Sequence, residues 1–250
     1  MIYKYILLFF IYSFFGWLME VFFYLLEHKK LVNRGFFIGP YCPIYGCGGL
    51  LIVFLLSGYV DDFKVLFIMT IVLCSSLEYF TSYLMEKLFN ARWWDYSDKK
   101  FNLNGRICLE AALPFGIVGC LVTYILNPFF SDLIVSSPVI IVKILAILLV
   151  IIFLIDNIVS FKVISNLKFA SLNIKKDNTE EITTRVKEFL TRKNSFTKRL
   201  VDAFPNFKVI KEMTLKTLKL NKKKLKKKKK KDKKMESEIN KQEKKLKKKK

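Results

Sequence analysis

The chain has 250 residues, of which 52% are hydrophobic and 15% aromatic, yet its formal net charge is +22. These values conflict unless they describe different regions, and the last thirty residues, 221–250, carry eighteen lysines against four acids, or +14 of that charge. A soluble fold is excluded for residues 1–160, because only a helix crossing roughly 30 Å of hydrocarbon needs uninterrupted apolar runs of about twenty residues.

Five apolar segments predict an all-α, polytopic membrane protein with about five transmembrane helices. The first segment contains Glu20 and is too long for a signal peptide, so we expect it to be retained. Pro128 and Pro138 predict a loop between the fourth and fifth helices. The predicted spans are 3–26, 43–59, 65–89, 107–126 and 139–164.

Lysine and arginine are concentrated in alternate loops, which predicts the orientation. The loops after the second and fourth spans hold only Lys64. Since basic residues near span ends stay in the cytoplasm, we expect an outside N-terminus and a cytoplasmic C-terminal tail in the cell membrane. The basic residues of the other two loops are Lys29, Lys30, Arg34, Lys87, Arg92, Lys99, Lys100 and Arg106.

Four acidic residues fall within the predicted spans, toward the cytoplasmic side. A carboxylate at mid-membrane costs roughly 2.5–3.5 kcal/mol, so each needs a partner, water or a proton. One interpretation is a cation, proton or substrate site. The other is structural pairing with Arg34, Arg92 or Arg106. The four residues are Glu20, Glu78, Glu110 and Asp156.

The stretch NRGFFIGPYCPIYGCGG, residues 33–49, precedes the second span. Its prolines push Gly39 and Cys42 out of the helical region, so regular helix should begin near Pro43. The remaining segment is short for the hydrocarbon core, which predicts irregular backbone at membrane depth, lining a cavity. A tight loop, with Gly46 allowing close helix contact, is the alternative.

The segment RWWDYS, residues 92–97, follows the third span and is followed by FNLNGR. Its aromatic residues suit the headgroup level. Asp95, with Asn104 and Arg106 nearby, predicts a structured cytoplasmic cap. The pattern LMExxF occurs at both Glu20 and Glu86, each followed by a basic loop, which indicates an internal repeat.

The region after the spans predicts basic amphipathic helices. Asp177 and Glu180 form a capping pattern, and a second helix should end before Pro205. These helices and the lysines from Lys222 favour anionic inner-leaflet lipids. The lysine run lacks interleaved aromatic residues and arginines, so nucleic acid is not favoured. The predicted domains are a transmembrane domain, 1–164, a basic helical segment, 165–220, and a disordered tail, 221–250.

No motif indicates a cofactor, a metal site or catalysis in this chain. The five cysteines form no CxxC pair, and His28 is the only histidine. GxxxxGK[ST] does not occur, so ATP hydrolysis of the Walker type would need a separate ATPase subunit. We expect no enzyme activity.

FFGWLME, NRGFFIGPYCPIYGCGG, LEYFTSYLMEKLF and RWWDYSDKKFNLNGRICLE resemble the type IV ABC-transporter permease proteins, also called CmpB-like, a family of bacterial integral membrane proteins. RLVDAFPNF near Phe204 is also similar. The resemblance implies a permease subunit, with a possible ATPase docking on residues 87–106. A non-transporting scaffold or regulator, binding lipid or a partner protein, is the alternative. Positions matched by motif are Glu20, Asn33, Arg34, Gly35, Gly39, Pro40, Pro43, Gly46, Glu78, Glu86, Trp94, Asp95, Tyr96, Asn104, Gly105 and Arg106.

Overall fold

A computed structural model of the chain describes residues 1–89, 91–173, 179–193, 195–205 and 207–209. Asp177 and the lysine run from Lys222, for which we predicted a helix cap and a disordered tail, lie outside the described residues. The elements in chain order are α1 Ile2–His28, α2 Pro43–Leu55, α3 Phe63–Phe89, β1 Ala91–Arg92, β2 Asn102–Leu103, β3 Ile107–Cys108, α4 Leu109–Leu121, α5 Asn127–Ser136, α6 Val139–Asn173, α7 Thr179–Lys193, α8 Ser195–Ala203 and β4 Lys208–Val209.

Four helices of the described chain are long and apolar enough to cross a membrane. Large apolar side chains on their outer surface, such as Ile117, Ile147 and Ile155, are more than half exposed. A surface of this kind is unfavourable in water but is solvated by lipid tails. The structure thus confirms a mostly helical protein in which four of the predicted spans are candidate membrane-spanning helices. They cover Ile2–His28, Phe63–Phe89, Leu109–Ser136 and Val139–Lys162.

The segment predicted as the second span forms a shorter helix. α2 has 13 residues, which corresponds to roughly 20 Å. Cys42 is extended, and Pro43 occupies the first turn, where its missing N–H costs no hydrogen bond. The predicted start is confirmed, but α2 ends before a 3₁₀ turn, Ser57–Tyr59. A membrane crossing by α2 stays a prediction.

α4 and α5 form one continuous helix, so the predicted loop around Pro128 is wrong. Val122–Leu126, between them, is π-helical, and Pro128 lies in the first turn of α5. The π turn widens the helix just before the proline, where a regular turn would press the ring against an earlier carbonyl. Only Ser137 and Pro138 separate α5 from α6.

Glycines bring the helices together in two hairpins, α1 with α2 and α3 with α4. A Cβ on Gly46 would lie 2.6 Å from the backbone carbonyl of Phe9 and would also collide with the hydroxyl of Ser13. A Cβ on Gly119 would collide with Thr70 of α3 in the same way. Small residues therefore set the close approach of both pairs, as in other membrane helices.

The loops and the C-terminal helices share an apolar cluster at one end of the bundle. β1 pairs antiparallel with β4, and β2 pairs antiparallel with β3. Val186 of α7 and Leu200 of α8 point into this cluster, so these two side chains are not available to lipid. Arg185, Arg192 and Lys198 remain exposed. The buried members are Phe89, Ala91, Trp93, Val186, Leu200 and Phe207.

Substituting Gly46 with alanine should destabilise the protein by about 1–3 kcal/mol, because the added methyl group overpacks the contact between α1 and α2. Gly58→Ala is the matched control, since a Cβ there meets nothing within 4 Å. Thermal unfolding in detergent measures both variants. Equal midpoints for Gly46→Ala and Gly58→Ala would contradict the close approach.

Candidate functional site

Asp156 of α6 holds the irregular segment between α1 and α2. Its carboxylate is 8% exposed and accepts hydrogen bonds from the backbone N–H groups of Ile38 at 3.1 Å and Gly39 at 2.8 Å. The hydroxyl groups of Tyr41 and Ser160 also donate to it. Asp156 is therefore fully occupied by hydrogen bonds within the protein.

Glu110 lies apart from the other three acids. It is in the first turn of α4, its side chain is 62% exposed, and it pairs with Lys99 at 2.8 Å. An exposed ion pair of this kind contributes little to stability. The structure therefore does not bring Glu110 into the predicted layer of carboxylates.

Glu86 receives the two arginines of the loop after α3. Its Oε2 lies 3.1 Å from Arg92 and 2.8 Å from Arg106. The Arg106 guanidinium also lies over the rings of Tyr79 and Tyr83. Arg92 and Arg106 therefore pair with Glu86 and not with the carboxylates within the bundle.

Glu20 and Glu78 line a cavity of about 1010 Å³ between the first four helices. The Tyr45 hydroxyl donates to Glu20 at 2.6 Å, and the Tyr96 hydroxyl donates to Glu78 at 3.3 Å. The ring of Tyr45 lies so close to Gly16 that a Cβ there would collide with it. Gly16 and Glu20 are one helical turn apart, so the glycine allows Tyr45 to reach the carboxylate.

Arg34 lies beside Glu20 at the edge of the cavity. Its guanidinium is 3.9 Å from the Glu20 carboxylate and donates a hydrogen bond to the carbonyl of Ala203. It also lies over the ring of Tyr24 at 4.8 Å and that of Phe204 at 5.5 Å. Arg34 therefore links α1, the irregular segment and α8.

The irregular segment is folded by its own side chains and by α1. Asn33 accepts hydrogen bonds from the Trp17 indole at 2.7 Å and from the Gly35 N–H at 3.0 Å, and it donates to the Ile38 carbonyl. A Cβ on Gly39 would collide with the ring of Tyr41. These contacts fix the conformation of the chain before and after Gly39, and α2 begins shortly afterwards, at Pro43.

This irregular segment borders the cavity. The glycines and prolines of its sequence predicted irregular backbone that lines a cavity. Arg34, Phe36, Phe37 and Cys42 contribute to the cavity lining, together with Pro43 of α2. Backbone that is not helical survives at membrane depth only where protein or water satisfies its polar groups.

The loop between α3 and α4 is a folded cap. The Trp94 indole donates to the Arg106 carbonyl at 3.1 Å, and the Tyr96 N–H donates to the Gly105 carbonyl at 2.8 Å. Gly105 has φ 67°, and a Cβ there would also lie 2.6 Å from the Asp95 carboxylate. Asn104, also at positive φ, donates to the Tyr79 hydroxyl at 2.9 Å.

The C-terminal helices close over both loops. Arg199 of α8 donates to the carbonyls of Gly35 at 3.1 Å and Phe36 at 3.2 Å. Lys208 of β4 lies 2.7 Å from Asp95. Phe204 and Pro205 contribute to the cavity lining.

Several residues of the site are not candidates from the sequence. Tyr45, which donates a hydrogen bond to Glu20, is one of them, because a tyrosine gives no sequence signal of its own, whereas Tyr96, which donates to Glu78, is among the positions matched by motif. Arg199 and Phe204 belong to RLVDAFPNF, whose similarity to the family was the available signal. Basic residues of this region were instead assigned to lipid binding.

A scan against known families matches residues 7–161 to one described as "Putative ABC-transporter type IV". No curated protein and no solved structure matches the chain. The family match includes Glu20 and Glu78 and ends before Arg199.

The ion pair between Asp95 and Lys208 joins the loop to β4 and should depend on pH. Burial alone would raise the pKa of Asp95, but hydrogen bonds from Lys208 and Ser97 outweigh it and hold the pKa well below its usual value. A lowered pKa in the folded state stabilises the protein above the ordinary pKa of about 4, and this contribution is lost as the pH falls further. Asp95→Asn should therefore lower stability at pH 7 by about 1–3 kcal/mol, as expected for hydrogen bonds to a charged group.

Thermal unfolding between pH 7 and pH 3 measures this effect, and the difference between wild type and Asp95→Asn should shrink below about pH 4. Asp98→Asn is the control, since Asp98 is exposed in the same loop. A stability difference between wild type and Asp95→Asn that grows toward low pH would contradict a stabilising role of the Asp95–Lys208 ion pair.

Proposed function

The chain belongs to the family described as "Putative ABC-transporter type IV", and we propose that it forms the membrane-spanning permease subunit of an ABC-type transporter. The four membrane-spanning helices agree with a transport component. The chain itself has no Walker-type phosphate loop, so energy would come from a separate ATPase subunit.

The cavity at Glu20 and Glu78 is the observation that carries this proposal. A charged group inside a membrane protein is expensive unless it faces a partner, a cavity or a substrate path. Asp156 and Glu86 have partners that account for them, whereas Glu78 faces an internal space. We therefore place the transported substrate, or a coupling ion, at Glu78 and Glu20.

The hairpin formed by β2 and β3 supplies a surface for the ATPase. Phe101, just before β2, is 83% exposed, and Leu103 is also exposed. Phe101 has φ 52°, an uncommon conformation for a large side chain, which the turn imposes. An exposed apolar tip on a loop that is itself folded is a suitable contact for a second protein.

We further propose that the N-terminus is outside the cell and the hairpin tip is cytoplasmic. The basic loops after α1 and α3 lie at the same end of the bundle as α7 and α8, which supports this orientation. The exposed basic residues of α7 and α8, with the lysine tail, would then face the anionic inner leaflet. In this proposal the chain has a transmembrane domain, 1–164, a basic helical segment, 165–220, and a tail, 221–250.

A non-transporting scaffold or regulator is the second candidate. The pairing of Glu86 with Arg92 and Arg106, and of Asp156 with backbone N–H groups, favours it, because these carboxylates serve the fold. Under this function, substitutions at Glu78 would lower stability or abundance and no ATPase would accompany the protein.

Purification of the tagged chain in detergent should retain a protein that contains a Walker motif and hydrolyses ATP. Phe101→Ala should reduce the amount of this ATPase about tenfold, since loss of one buried aromatic contact costs 1 kcal/mol or more. Phe129→Ala is the matched control, because Phe129 is exposed near the opposite end of the bundle. If no ATPase is retained by the wild type, the permease function is wrong.

Single-cysteine variants in a cysteine-free background report the orientation. Gly58→Cys, in the turn between α2 and α3, should react with a membrane-impermeant maleimide on intact cells. Lys100→Cys should react only after the cells are permeabilised. The reverse pattern would invert the proposed topology.

A further inference from the structure

Glu78 lines the cavity and has one buried carboxylate oxygen without a hydrogen-bond partner among the described residues. The residue is 8% exposed. Its Oε1 accepts the hydroxyl of Tyr96 at 3.3 Å, but its Oε2 has no hydrogen-bond partner among the described residues. A buried charged oxygen without a partner is costly, and hydrogen-bonded buried oxygens are the rule. The position of Glu78 therefore suits a ligand that donates a hydrogen bond or brings a positive charge.

The charged groups around the cavity leave Glu78 without a cation. Four carboxylates and one guanidinium belong to the described lining. Arg34 lies beside Glu20, and Asp95 is paired with Lys208 and Arg92. Glu27, the fourth, is an exposed residue at the end of α1, next to His28. A positive charge beside Glu78 is thus missing from the described part of the site.

The size and the walls of the cavity exclude a bare metal ion as its natural occupant. A volume of about 1010 Å³ lies at the upper end of the usual range for sites that hold drug-sized molecules. Most of the lining is apolar or aromatic, with Phe15, Tyr45, Leu77 and Trp94 among its members. No group of three or more His, Cys, Asp or Glu residues in the described chain could hold a metal ion.

We propose that this cavity binds an amphiphilic organic cation, with a protonated amine at Glu78 and an apolar body against the aromatic walls. The amine pairs with the carboxylate of Glu78 by a charge-assisted hydrogen bond. Tyr45 and Tyr96, whose hydroxyl groups donate to Glu20 and Glu78, also belong to the cavity lining. This inference rests on the proposed function, because it takes the cavity to be the substrate site. It adds the chemical class of the substrate.

A neutral apolar molecule does not fit as well, because it would leave the Glu78 carboxylate buried and unpaired. An organic anion fits worse, since it would add a second negative charge beside Glu78 and Glu20. Arg34, the described cation of the lining, already contacts Glu20, Tyr24, Phe204 and Ala203. The balance of charge therefore selects a cation.

Binding of three pyrene probes to the full chain in nanodiscs of zwitterionic lipid tests this inference. The probes are 1-pyrenebutylamine, protonated at neutral pH, 1-pyrenebutanol and 1-pyrenebutyrate, which share one apolar body. Fluorescence titrations, corrected with empty nanodiscs, should give saturable binding of the amine at least about tenfold tighter than that of the alcohol or the acid. Equal or tighter binding of the alcohol or the acid would overturn the inference.

Glu78→Gln should abolish the preference for the amine over the alcohol, because the substitution keeps the shape and removes the charge. Glu110→Gln is the matched control, since Glu110 is exposed and pairs with Lys99 outside the cavity. Amine binding that is unchanged in a folded Glu78→Gln protein would also overturn the inference. If that variant does not fold, the comparison of the three probes on the wild type decides alone.

These titrations need neither an ATPase nor a flux measurement, so the two proposals can fail separately. Amine binding at Glu78 without a co-purifying ATPase would leave the cation site standing and remove the permease function. A co-purifying ATPase with no preference for the amine would leave the permease function standing and remove the cation as substrate class.

Discussion

The carboxylate of Asp156 is the acceptor on which the irregular segment within this helix bundle depends. Backbone N–H groups that are shielded from water need an acceptor, so the turn at Ile38 and Gly39 requires one supplied by the protein. Asp156 supplies it from α6, more than a hundred residues away along the chain. With the segment fixed in this way, α2 starts at Pro43, Tyr45 reaches Glu20, and a cavity remains between the helices.

The acidic residues of the bundle thus divide into those that build the fold and those that face the cavity. Asp156 and Glu86 are surrounded by donors from loops, and removing either carboxylate would leave several polar groups buried without partners. Glu20 and Glu78 each hold one tyrosine hydroxyl and border open space. Carboxylates of one bundle therefore have two roles, which depend on the number of donors that the neighbouring segments bring.

The sequence predicts what is determined locally. Apolar length predicted the four long helices, and the Cys42–Pro43 step predicted the start of α2, because both depend on neighbouring residues only. The grouping of the acids depended on tertiary contacts: Glu110 pairs with Lys99 at the surface, and Asp156 is satisfied by residues 38–41. The loop expected at Pro128 failed for another reason, since a π turn accommodates a proline that a regular helix would not. Val186, in the region predicted as basic amphipathic helices, packs against the protein itself, which is also a tertiary contact.

The π turn at Val122–Leu126 also changes the angular phase of the long helix. Each residue of an α-helix advances by about 100°, so one additional residue in a turn rotates everything after it by roughly that angle. α4 therefore faces α3 through Gly116 and Gly119, whereas α5 faces α1, where Asn127 accepts the Tyr12 hydroxyl at 3.0 Å. One continuous helix serves two partners on different sides, and deleting a single residue in the π turn would turn Asn127 away from Tyr12.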